Sequence, residues 1–117
     1  MKTLVIGIMS PEQVKEREEA IARGEYQPKD TDPTVWFPSI KSLAEVLSEE
    51  NRNLLRLIHD TAPESVTQLA QRSGRTPGNL SRTLKTLANY GLVEMQRENR
   101  QVRPVTRAVK FRVLVSA

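Results

Sequence analysis

The chain has little with which to do covalent or metal chemistry: among its 117 residues are one histidine, His59, and no cysteine. Without cysteine there is no disulfide framework, thiolate metal site or Cys nucleophile, and the composition suits a reducing cytoplasm. A single histidine cannot supply a transition-metal cage. No carboxylate pair, Ser-His arrangement or Gly-rich phosphate loop accompanies His59, which lies between Ile58 and Asp60 as a helix boundary residue. Neither an enzyme nor a metal or cofactor site is expected. What the chain does have is charge. Residues 1–64 hold 8 Lys/Arg and 12 Asp/Glu, a net of −4, whereas residues 65–117 hold 10 Lys/Arg and 2 acids, a net of +8. Such separation predicts an anionic partner for the second half.

The basic residues lie within an ordered pattern. From Glu64, the residues Val66, Leu69 and Ala70 form one face of a short helix, and Ser73-Gly74 breaks it. Thr76 then caps a new helix with Pro77 at its first position, and Leu80, Leu84 and Leu87 form a single inward stripe before Gly91 stops it. Two helices joined by a short glycine-containing turn are a helix-turn-helix, whose second helix fits the major groove of duplex DNA. With the leucines inward, helical geometry turns Gly78, Asn79, Arg82, Lys85, Thr86 and Asn89 outward. Arg82 can donate a bidentate pair to guanine and Asn79 can pair with adenine. Thr76 and Ser81 suit phosphate oxygens near the positive helix N-terminus. The recognition helix is predicted over residues 77–90.

A basic segment follows directly. Leu92 to Gln96 reads as a strand, and Val109, Phe111, Val113 and Val115 alternate along another. Between them, residues 97–107 contain Arg97, Arg100, Arg103 and Arg107 with no apolar face. Beside a helix-turn-helix, this reads as a wing lying along the phosphates or dipping an arginine into the minor groove.

The remaining elements must position these two. Residues 2–9 read as a strand with apolar residues on both faces, too short and too abruptly ended by Pro11 for a signal peptide or membrane span. Ser10, Pro11 and Gln13 predict a capped helix that ends at Gly24. Glu25 to Pro38, interrupted by Pro28 and Pro33, reads as an extended arm with a turn at Asp30 to Pro33, and Trp36-Phe37 as its packing anchor. Ile40, Leu43, Val46 and Leu47 predict a helix behind Ser39. Ser48 restarts capping for a second, with Leu54, Leu55, Leu57 and Ile58, that ends before Pro63. The expected fold is α+β: a winged helix-turn-helix over residues 39–117, with a strand-helix-arm extension over 1–38 for dimerisation or partner binding.

The run Leu80-Ser-Arg-Thr-Leu-Lys-Thr-Leu-Ala-Asn-Tyr-Gly-Leu-Val93 resembles the recognition-helix text of MarR-type winged-helix regulators, a likeness extending over residues 50–115. Ala22 to Tyr26, Val35-Trp36-Phe37 and Leu47 to Arg52 resemble a narrower group of small prokaryotic regulators, some of which look like antitoxins encoded beside a toxin. The resemblance implies operator binding by a repressor, and more narrowly autorepression of a toxin–antitoxin pair. The chain departs from ordinary MarR proteins in lacking long flanking dimerisation helices.

Two partners besides double-stranded DNA are expected. The first is a second copy, because the strands 2–9 and 109–115 are apolar on more than one face and the arm is long enough to reach across. A two-fold dimer would set two recognition helices one DNA turn apart on a palindromic operator. The alternative is a basic partner protein, such as a toxin, held by the acidic residues Glu16, Glu18, Glu19, Glu25, Asp30 and Asp32.

Overall fold

A computed structural model describes residues 2–117 as five helices and five strands. The first strand, β1 (Thr3–Ile8), leads to α1 (Pro11–Ala22). Ser10 caps α1 as expected: the Gln13 amide donates to Ser10 Oγ at 3.2 Å, and the Ser10 amide donates to Gln13 Oε1 at 3.1 Å. Gly24 follows in the left-handed region, φ +75°. The arm then ends in a short strand, β2 (Val35–Phe37), that the sequence reading did not contain.

β2 pairs parallel with β1, Ile6 opposite Val35 and Ile8 opposite Phe37, so β1, α1 and β2 form a crossover unit. On its other side β1 pairs parallel with β5 (Lys110–Leu114), giving the order β2-β1-β5. Leu4, Ile6, Val35 and Phe37 share the face that enters the core. The opposite face carries Gly7 beneath the Trp36 ring.

Two expectations change here. The arm does not reach away from the chain; it is bound to α1 of its own copy. Arg17 pairs with Asp32 at 3.3 Å and lies 5.3 Å from the ring centroids of both Tyr26 and Trp36, while the Tyr26 hydroxyl donates to Asp32. The residues Val109 to Val115 do not return along Leu92–Gln96 as the second wing strand. They leave to pair with β1, because Phe111 finds apolar cover against the core there, opposite Leu4. Sheet β2-β1-β5 thus draws strands from both sides of Pro38.

The helical part follows the sequence closely. α2 (Ile40–Val46) is capped by Ser39 and α3 (Glu49–Thr61) by Ser48; α3 ends at Ala62, φ +44°, ahead of the buried Pro63. Ile40, expected on the apolar stripe of α2, is 57% exposed in its first turn. α4 (Val66–Ser73) and α5 (Pro77–Asn89) pack with α3 around Leu54, Leu55, Ile58, Leu69, Leu80, Leu84 and Leu87. A hairpin, β3 (Val93–Glu98) and β4 (Gln101–Thr106), closes the unit against α3, α4 and α5. The architecture is the expected α+β winged helix with an N-terminal strand-helix-arm extension. Among the described residues no helix is long and apolar enough to cross a membrane.

Candidate nucleic-acid interface

Ser65 opens α4, its Oγ accepting from the Gln68 amide at 3.0 Å, and Gly74 closes it at φ +71°. A side chain at that φ would be strained, which is why the turn between the two helices needs glycine. Thr76 Oγ1 then accepts from the Asn79 amide at 3.3 Å and Pro77 occupies the first turn of α5.

Burial of Leu80, Leu84 and Leu87 fixes the rotation of α5. Gly78, Asn79, Ser81, Arg82, Lys85, Thr86 and Asn89 are all exposed, as the leucine stripe predicts. The helix therefore presents one continuous polar face to solvent. Among the described residues, no carboxylate lies within ion-pair distance of Arg82 or Lys85. Two hydroxyls on this side are already engaged: Thr76 by the cap, and Thr86, which donates to the Arg82 carbonyl at 3.2 Å. Gly91, φ +76°, ends the element, and the Leu92 amide donates to the Leu87 carbonyl at 2.9 Å, aiming the chain into β3.

The wing is shorter and more ordered than the sequence suggested. Residues 97–107, expected as a loop, are mostly strand: Glu98 pairs with Gln101 across a two-residue turn, Asn99-Arg100. Asn99 takes φ +56°, a conformation that asparagine tolerates better than most side chains. Pro104 needs no ladder donor in a two-stranded ribbon and is buried opposite Met95. Thr106, the one buried polar residue among the described residues, donates to the Ala108 carbonyl at 2.8 Å. Arg97 and Arg100 are exposed at the tip and Arg107 at the base. Arg103 sits differently: it alternates onto the other face from Arg97, pairs with Glu98 at 3.7 Å and buries its Nε without a hydrogen-bond partner.

Two arginines that the sequence reading assigned no role bolt the helix-turn-helix to α3. Arg75 donates to the Glu50 carbonyl at 2.9 Å and to Asn51 Oδ1 at 3.4 Å, at one end of α3. Arg72 donates to the Thr61 carbonyl at 2.9 Å at the other end, where the helix dipole favours a cation. Nothing in their local sequence distinguishes them from Arg82, since their acceptors, the carbonyls of Glu50 and Thr61 and the Asn51 amide oxygen, are brought close only by the fold. His59 is exposed in the last turn of α3, and among the described residues no group of three or more His, Cys, Asp or Glu is placed to hold a metal ion.

No curated protein sequence matches the chain. Among solved structures, it is similar to a predicted DNA-binding transcriptional regulator from E. coli, with a TM-score of 0.50, 15% identity and 85% of each chain covered. It is also similar to NolR from Sinorhizobium fredii, with a TM-score of 0.49, 21% identity, and 86% of this chain and 80% of that one covered. The family model HVO_A0114 matches residues 46–113, from the end of α2 through the helix-turn-helix and wing into β5. That is more than half of the chain, and the chain belongs to the HVO_A0114 family.

Proposed function

We propose that the protein is a sequence-specific duplex-DNA-binding transcription regulator, a repressor, that places α5 in the major groove and its wing on the backbone or in the minor groove. The observation that carries this reading is the outer face of α5: a run of small, polar and basic side chains with unpaired cations, held rigidly by a buried leucine stripe. In this reading Arg82 and Asn79 read bases, Gly78 admits close approach, Thr76, Ser81 and Lys85 contact the backbone, and Thr86, its proton held by the Arg82 carbonyl, completes the polar face. Arg97, Arg100 and Arg107 are the exposed cations that the wing offers, and Arg103, on the other face from Arg97 and paired with Glu98, adds a weaker contact. The MarR-type text of residues 80–93 supports the same assignment.

Regulators of this build meet a palindromic operator as two-fold dimers, and we infer a homodimer here. A gel shift or anisotropy titration against random and selected duplexes tests the reading. Affinity should fall steeply with salt, because about 4–6 phosphate contacts per copy release bound counterions. A flat salt dependence, or equal binding of every duplex, would count against it.

One feature of α1 favours a second reading. Glu12, Glu16 and Glu19 are all exposed at helical spacing on one side of a helix that buries no residue fully. Such a stripe suits a basic partner protein, as an antitoxin would hold a toxin, with DNA binding serving autoregulation. Copurification with a basic protein that is lost in a Glu12, Glu16, Glu19 to Gln variant, with DNA binding intact, would favour it.

A further inference from the structure

Strand β5 is bonded on one side only, to β1, and is an outer strand of sheet β2-β1-β5. An open edge of this kind is a template for another strand. It carries no proline, and Val113, Leu114 and Val115 at its end are 41%, 45% and 51% exposed. Three consecutive apolar residues exposed at an open edge contrast with the rest of the chain, whose only other large exposed apolar side chains among the described residues are Tyr26 and Ile40. Beside this edge runs a groove of about 470 Å³ between α2, α3 and β5, with Leu43, Leu47, Phe111 and Val113 in its walls and Arg56 and Lys110 among its polar residues. Edge and groove are one continuous surface.

The sequence of β5 says which strand fits. Two copies related by a two-fold axis through the sheet must set residues of the same face opposite one another, so paired positions differ by an even number. Centring the axis on Arg112 would oppose two arginines, which is destabilising. Centring it on Val113 puts Val113 against the partner's Val113, Arg112 against the partner's Leu114 and Lys110 against the partner's Ser116. Phe111 then meets the partner's Val115, an aromatic–β-branched pair on the face that adjoins the groove. Centring it on Leu114 loses that pair and sets Phe111 against the partner's Ala117. The strand can therefore meet itself in one register that opposes no two like charges and matches apolar residues on the groove face.

We propose that β5 is the homodimer interface, joining two copies edge to edge in antiparallel register centred on Val113 and making one six-stranded sheet. The partner's Val115 fills the groove end beside Phe111. No residue of this interface lies on the outer face of α5 or at the wing tip, so both remain open. The interface rests on the homodimer inferred above but not on DNA binding, and it is tested without DNA.

The chain has no cysteine, so Val113→Cys introduces a single thiol. Mild oxidation should convert this variant to a covalent dimer, while Lys41→Cys, exposed on α2, should stay monomeric on a denaturing gel. Val113→Lys should shift the wild-type dimer to monomer in sedimentation equilibrium with its circular dichroism spectrum retained. Val115→Lys, beyond the residues paired to β1, should do the same without touching the sheet. A wild-type protein that is monomeric at micromolar concentration overturns both the dimer and this interface. A dimer that survives both lysine substitutions and gives no Val113→Cys cross-link overturns the interface alone.

Discussion

The ring of Phe37 stacks on that of Tyr90, with centroids 4.1 Å apart and planes 12° apart. Phe37 ends β2 and is fully buried; Tyr90 is the C-cap of α5. The N-terminal sheet thus touches the last turn of the helix that carries Arg82 and Lys85, and the Tyr90 hydroxyl lies 3.5 Å from Ser42 Oγ of α2. The extension helps hold α5 in place. Phe37→Ala should cost about 3–5 kcal/mol through the lost burial of the ring and the cavity it leaves. The stack itself should appear as a coupling of about 0.5–1.5 kcal/mol in a cycle of Phe37→Leu with Tyr90→Leu, measured by urea unfolding. Additive single effects would mean the rings only share a neighbourhood.

Gly7 meets a harder limit. A Cβ there would lie 2.3 Å from Trp36 Cζ3 and 2.9 Å from Pro33 Cγ. Trp36 is itself held by the Arg17 guanidinium, so it cannot simply swing aside. Gly7→Ala should destabilise by about 1–3 kcal/mol, as overpacking does. Adding Trp36→Leu should return part of that loss. If Gly7→Ala melts with the wild type, the ring does not press on the strand.

The helical elements were legible because each is punctuated by its own residues: Ser10, Ser39, Ser48 and Thr76 all cap where their position suggests, Ser65 caps α4 in the same way, and Gly24, Gly74 and Gly91 all take positive φ. The exposed face of α5 followed from three leucines. What could not be read was strand partnership. Val109 to Val115 alternate equally well for either neighbour, and only the position of β1, more than a hundred residues away in sequence, decides between them. The Asn99-Arg100 turn lacks the Asn-Gly signature that would have marked a tight hairpin. Nor could the partners of Arg72, Arg75 and Arg103 be read, because the carbonyls and carboxylate that they meet are set by the fold.

The clasp that folds back the arm should respond to acid. Asp32 is held below its ordinary value of 3.8, first by the Tyr26 hydroxyl, then by the Lys29 amide and Arg17. A carboxylate depressed in the folded state contributes stability that is present above 3.8 and is lost as pH falls through the folded value. Tyr26, raised above 10.0 chiefly by its bond to Asp32, contributes stability below 10.0 that is lost as pH rises through its folded value. Asp32→Asn should flatten the acid limb of the stability curve, a small effect because the pair is solvent-screened. Identical acid limbs for the two proteins would show that the clasp does not form.

The last prediction separates the arginines by what they reach. Arg82 projects from the middle of α5, where a groove-bound helix meets base edges, so Arg82→Ala should lose about 1–3 kcal/mol on the preferred site and relax the sequence preference. Arg97 and Arg100 project from the wing tip. Removing either should weaken all duplexes alike and lower the salt slope by about one each. Arg103→Ala should change the slope less, since Glu98 already neutralises it in part and its Nε is buried away from solvent. Anisotropy on matched and mismatched duplexes at several salt concentrations distinguishes these outcomes. If Arg82→Ala keeps the preference while Arg97→Ala or Arg100→Ala alters it, bases are read by the wing, and α5 serves to position it.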